Sequence, residues 1–244
     1  MLPWYVAWYG TDDMPPSTEN GLEFTITLTE LQRVAALVLS ESVGGDDSAL
    51  VLDVYADALQ DITENLNRDQ LAVSVTSSPD VTNPFLYAVN LDYNDGLLEI
   101  GWNETMDTVL TREGVANVDV GKLFISNDAD GVGNEVQLTG ATVRSTYGSS
   151  VYVTLSEQQR VDAIAMSQFD DKGGDGGYVF LNIDAEALFD IALNRNDELY
   201  GNDVAETVDS IAPLLLDATL NYTFGVLVVR ADEYLDSTPV ESID

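Results

Sequence analysis

The chain has 244 residues, is 45% hydrophobic and contains neither cysteine nor histidine. This bounds it to one or two globular domains and removes disulfides, thiolate nucleophiles, Ser-His triads and the commonest zinc ligand. Nine basic against 43 acidic residues leave a formal net charge of −34, which excludes a nucleic-acid surface, disfavours anionic lipid and calls for a saline or calcium-rich exterior that screens the self-repulsion.

Met1–Tyr9 lacks the basic and apolar regions of a secretion signal, and no stretch approaches the ~18 apolar residues of a membrane span. Trp4, Tyr5, Trp8 and Tyr9 read as a strand with one covered face, a glycan-stacking platform being the other reading. Phe85–Tyr93 reads as a strand, Asn94-Asp95-Gly96 as a hairpin turn that tolerates positive φ, and Leu97–Trp102 as the return strand. Lys122–Ser126 is a short strand entering the turn-rich loop Asn127–Gly131. Glu135–Arg144 and Ser150–Leu155 read as a second hairpin around Tyr147-Gly148. Ser156 is a natural N-cap, and Val161, Ile164 and Ala165 follow at helical spacing. A glycine-rich run, Lys172–Gly177, ends that short helix, and Tyr178–Ile183 resumes strand. Ala185–Asn194 is open between helix, by propensity, and strand, by context.

The chain also contains the same pattern twice. Thr27–Ala36 recurs as Thr154–Ala163, a shift of 127 with seven of ten positions identical, and Leu52–Ile62 returns as Leu181–Ile191 at a shift of 129. The shift of 129 holds for Asp80 and Pro84 against Asp209 and Pro213, and for Leu91, Tyr93, Gly96 and Leu98 against Leu220, Tyr222, Gly225 and Leu227. Such self-similarity is the signature of a tandem array. The strand Lys122–Ser126 occurs once, so the chain is nearly two periods cut at that strand.

Short strands, frequent turns, no βαβ alternation and one short helix per repeat predict an all-β antiparallel sandwich. The opening Asp-x-x-x-Pro-x-Leu at Asp209–Leu215, less fully at Asp80–Leu86, and the closing Ala-x-x-Asp-x-x-x-Asn at Ala58–Asn65 and Ala187–Asn194 resemble tandem bacterial Ig-like repeats of S-layer and large surface proteins. The resemblance implies the C-terminal part of one Ig-like repeat over 1–77, a complete repeat over 78–205 and the opening hairpin of a further repeat over 206–244. Glu64 and Leu193 stand where that family's closing turn carries glycine.

Asp128, Asp130 and Glu135 alternate around glycines with the spacing of a loop that wraps Ca2+, and a solvated acidic loop is the competing reading. Asp170, Asp171 and Asp175, with Asp46 and Asp47 in the other copy, form a weaker set of the same kind. Arg33 and Arg160 occupy equivalent positions, three residues after Glu30 and Glu157, and read as clamps fastening the short helix to carboxylates or strand carbonyls. Asn103-Glu104-Thr105 and Asn221-Tyr222-Thr223 are glycosylation sequons.

No constellation supports catalysis, and the chain reads as a non-enzyme. A carboxylate-pair hydrolase would need a cleft with two carboxylates about 5 to 9 Å apart. The expected function is a structural repeat segment of an extracellular fibre, appendage or surface layer in a saline setting, partnered head to tail by copies of itself or adjoining repeats. An adhesin that binds glycan or mineral is the alternative.

Overall fold

A computed structural model describes residues 21–109, 117–131, 133–144 and 148–236. The aromatic run Trp4–Tyr9 and the residue Tyr147 lie outside the described residues. The regular secondary structure is mostly antiparallel β-sheet, with two short α-helices. Among the described residues no helix is long and apolar enough to cross a membrane. The chain forms two compact units, one taking residues up to 83 together with 189–194, the other taking 84–188 and everything from 195.

The first unit contains α1 (Glu30–Val38) and a two-stranded sheet of β1 (Val51–Val54) and β2 (Gln70–Ser74). Thr29 caps α1 with a full capping box, its hydroxyl accepting from the Gln32 amide while the Gln32 side chain reaches back to the Thr29 amide. Two orphan donors of the helix start are satisfied in this way. Between residues 21 and 83 no apolar side chain is buried. Leu31, Leu52, Leu71 and Val73 are all exposed.

The second unit has such a core. One sheet has the order β11-β3-β4-β8-β7, formed by β3 (Leu86–Asp92), β4 (Leu97–Met106), β7 (Thr142–Val143), β8 (Gly148–Thr154) and β11 (Ala205–Thr207). The other, β10-β9-β5-β6, is formed by β5 (Leu123–Ser126), β6 (Glu135–Gln137), β9 (Phe180–Ile183) and β10 (Leu199–Asp203). Alternate residues along these strands point to one side. Val89, Leu91, Leu98, Ile100, Val151 and Val153 from the first sheet meet Leu123, Ile125, Leu181 and Ile183 from the second in a single hydrophobic cluster. The helix α2 (Glu157–Ile164) follows β8, capped by Ser156 with the same capping box as α1. A final hairpin, β12 (Leu215–Asn221) and β13 (Val226–Ala231), forms its own two-stranded sheet.

Two expectations are corrected. Glu135–Arg144 is not one strand: β6 pairs with β5 and β7 pairs with β8, in different sheets. Leu138 is fully buried, with its amide bonded to the Leu123 carbonyl, and Gly140 at φ 91° then turns the chain across to the other sheet. Ala185–Asn194 is neither helix nor regular strand. The Asn196 carboxamide accepts from the amides of Ala187 and Leu188 at 2.8 Å, and Asp190 accepts from the Asn194 amide and side chain at 2.8 Å. These side-chain bonds replace a helical or ladder pattern, as Asn and Asp do in turns.

The paired sequence blocks carry matching local structure. β1 and β2 pair as Val51↔Ser74, Leu52↔Val73 and Val54↔Gln70, and β9 and β10 pair at the positions 129 residues on. The six residue pairs of β3 with β4 recur likewise in β12 with β13, including the register shift near the open end. Residues with positive φ follow the same rule: Asp57 and Glu186, Glu64 and Leu193, Ala72 and Gly201, Gly96 and Gly225. Glu64 at φ 66° and Leu193 at φ 65° hold the left-handed conformation that glycine adopts without steric cost.

Candidate functional site

Arg160 lies in the first turn of α2, and its guanidinium collects partners from separate parts of the second unit. Nε and Nη2 bond Glu157 at 2.7 and 2.8 Å, Nη1 bonds the Tyr93 carbonyl at 2.9 Å and Asp209 at 2.6 Å, and Nη2 also bonds Glu233 at 2.9 Å. The side chain is 7% exposed. Hydrogen bonding to Glu157 first, then to Asp209 and Glu233, raises the arginine's pKa against the effect of burial, and the same Arg160 bond holds Glu157 below the usual carboxylate range. Asp209 precedes β12 and Glu233 follows β13, so one guanidinium fork holds both feet of the final hairpin to α2. Bidentate geometry of this kind suits arginine and not lysine. Arg33 bonds Glu30 at 2.7 and 2.8 Å and Asp80 at 2.7 Å in the first unit, the positions equivalent to Glu157 and Asp209.

Beside the Arg160 clamp, Tyr93 is 1% exposed. Its ring meets Phe169 edge-on with centroids 6.4 Å apart, its hydroxyl donates to Glu206 at 2.7 Å, and its amide donates to the Thr207 carbonyl at 3.0 Å. Burial, reinforced by Glu206, pushes the phenol's pKa well above its ordinary range. The turn beyond it packs closely, since a Cβ at Gly96 would lie 3.4 Å from that of Leu155.

The equivalent tyrosine, Tyr222, is 90% exposed, and Leu227 and Val229 are 60% and 41% exposed where Leu98 and Ile100 are fully buried. The same hairpin is therefore the centre of a core in one place and bare in the other. Within the first unit an open, largely apolar cavity of about 350 Å³ is lined by Leu28, Arg33, Leu37, Leu50, Ser77 and Asp80. Their equivalents in the second unit are Leu155, Arg160, Ile164, Val179, Glu206 and Asp209, of which Arg160 bonds the Tyr93 carbonyl and Glu206 its hydroxyl. The repeat alignment already pairs Tyr93 with Tyr222. What the sequence did not reveal is that Tyr93 is buried, because its partners Phe169, Glu206 and Thr207 lie far along the chain.

The carboxylates singled out in the sequence sit in or beside loops. Asp128 accepts from the Asp130 amide at 2.8 Å in a loop bonded to Ser126, Asp130 and Glu135 are exposed, and so are Asp170, Asp171 and Asp175. Asp175 is engaged by the Gly177 amide at 2.8 Å. Neither set brings three carboxylates within 4.8 Å of one another among the described residues. Asp46 bonds Ser48, which lowers its pKa. The Asn103 carboxamide accepts from the Phe85 amide at 2.7 Å, and that of Asn221 from the Thr223 amide at 2.9 Å. Comparison with protein-family models, with curated proteins and with solved structures finds no match.

Proposed function

We propose that the chain is a structural segment built of Ig-like repeats, which assembles head to tail into an extracellular fibre, appendage or surface layer in saline surroundings. The observation that carries this reading is the hairpin β12–β13. It repeats β3–β4 pair for pair, yet Tyr222, Leu227 and Val229 are exposed where their equivalents form a core. A strand edge with an exposed apolar row is an association site. The unburied face of residues 21–83 is the second such surface. Two different surfaces on one chain give a heterologous contact, which propagates instead of closing into a dimer. The charge of −34 sets the conditions, because copies so acidic approach one another only in high salt.

The test is sedimentation velocity of the 244-residue chain over a wide concentration range in molar potassium chloride, with electron microscopy of the heaviest fraction. Elongated oligomers that grow with concentration are expected. A monomer at every concentration, or a closed dimer, overturns the reading.

A further inference from the structure

The internal copy of the interface supplies a residue-level template for it. In the second unit β4 pairs antiparallel with β8 as Leu97↔Thr154, Leu98↔Val153, Glu99↔Tyr152, Ile100↔Val151 and Gly101↔Ser150. The equivalents of β8 are residues 21–27, which carry no strand pairing and are exposed throughout. We infer that Tyr222 of one molecule fills the Leu28–Ser77 cavity of a second copy while β13 pairs with residues 23–27 of that copy. This deepens the head-to-tail reading and rests on it.

The template sets the register as Val226↔Thr27, Leu227↔Ile26, Val228↔Thr25, Val229↔Phe24 and Arg230↔Glu23. Side chains match at each step. Leu227 and Val229 face Ile26 and Phe24, all four now exposed, on the side where the template buries Leu98, Ile100, Val153 and Val151. Arg230 meets Glu23, an opposite-charge pair where the template has Gly101 and Ser150. The Tyr222 carbonyl comes to Arg33 as that of Tyr93 comes to Arg160. Its hydroxyl meets Ser77 in place of Glu206, and Ser42 stands where Phe169 does, so the cavity lacks the edge-on ring of its template.

Because the chain has no cysteine, engineered pairs report the register cleanly. A full-length chain carrying Ile26→Cys and Leu227→Cys, oxidised with glutathione disulfide in molar salt, is expected to give a ladder of intermolecular products. The offset pair Ile26→Cys with Val229→Cys is expected to lag well behind. Tyr222→Ala should weaken self-association by at least about tenfold, as loss of an aromatic anchor does, while the exposed control Tyr178→Ala leaves it unchanged. Glu23→Arg or Arg230→Glu alone should weaken association, and the two together should restore it. Association that survives Tyr222→Ala, equal cross-linking of the offset pair, or a disulfide closed within one chain overturns the docking. In the first two cases the head-to-tail reading stands. A parent chain that never self-associates removes both.

Discussion

Arg160 shows how an acidic chain uses its few cations. Three carboxylates converge on it from before β12, after β13 and the start of α2, so removing the guanidinium leaves them to repel one another in a partly desolvated place. Arg160→Met is expected to cost about 3 kcal/mol, read from the midpoint of urea unfolding, with Arg160→Lys recovering only part because an ammonium cannot form the bidentate fork. A loss no greater than that of Arg33→Met, whose side chain is 32% exposed, would contradict the clamp. Asp61 and Asp190 make the same bonds to Asn65 and Asn194 in different surroundings. The bonds from Asn65 lower exposed Asp61 from 3.8 to about 2. Burial raises Asp190, and nearby Asp80 adds to the rise. Asp61 thus stabilises the fold above its unfolded pKa, and that contribution fades as pH falls toward 2. Asp190 favours the fold at low pH, and its contribution fades as pH rises through its own elevated pKa. Carboxyl-carbon NMR should find the two midpoints on opposite sides of the ordinary value; coincident midpoints would refute this.

At the scale of elements, what was legible depended on how local the signal was. The Ser156 cap, the Asn94-Asp95-Gly96 turn and strands β3, β5 and β9 rest on neighbouring residues, and the structure has them close to the expected places. The split of 135–144 was not legible, because whether Leu138 ends a strand depends on the distant Leu123 carbonyl it meets. The 185–194 segment misled through propensity, since Asn196 and Asp190 bind its backbone in a form no periodicity announces. The candidate cation loops followed from carboxylate spacing, whereas the burial of Tyr93 depends on contacts among distant segments. The closing turn yields its own prediction. Leu193 is left-handed and about half exposed, so Leu193→Gly should stabilise the protein by about 1 kcal/mol, measured by denaturant unfolding. A loss of similar size would show that the leucine side chain matters more than its backbone strain.

For the whole molecule, the charge of −34 sets an expectation independent of assembly. Thermal midpoints should rise with monovalent salt, and the comparison with calcium at matched ionic strength separates screening from binding. No change in any of these conditions, with a chelator run as reference, would remove the saline setting; a gain with ionic strength alone would remove calcium. The bare Tyr222 hairpin and the cavity are different surfaces, and this has a kinetic consequence. If one docks into the other as proposed, every growing assembly has a polarity, with two chemically unlike tips. A molecule carrying Tyr222→Ala keeps its cavity and can still be captured at a tip that presents a hairpin, but it offers no anchor to the next arrival. Mixed into the parent chain at a few per cent, it would act as a terminator, shortening assemblies by blocking one tip while the other continues to elongate.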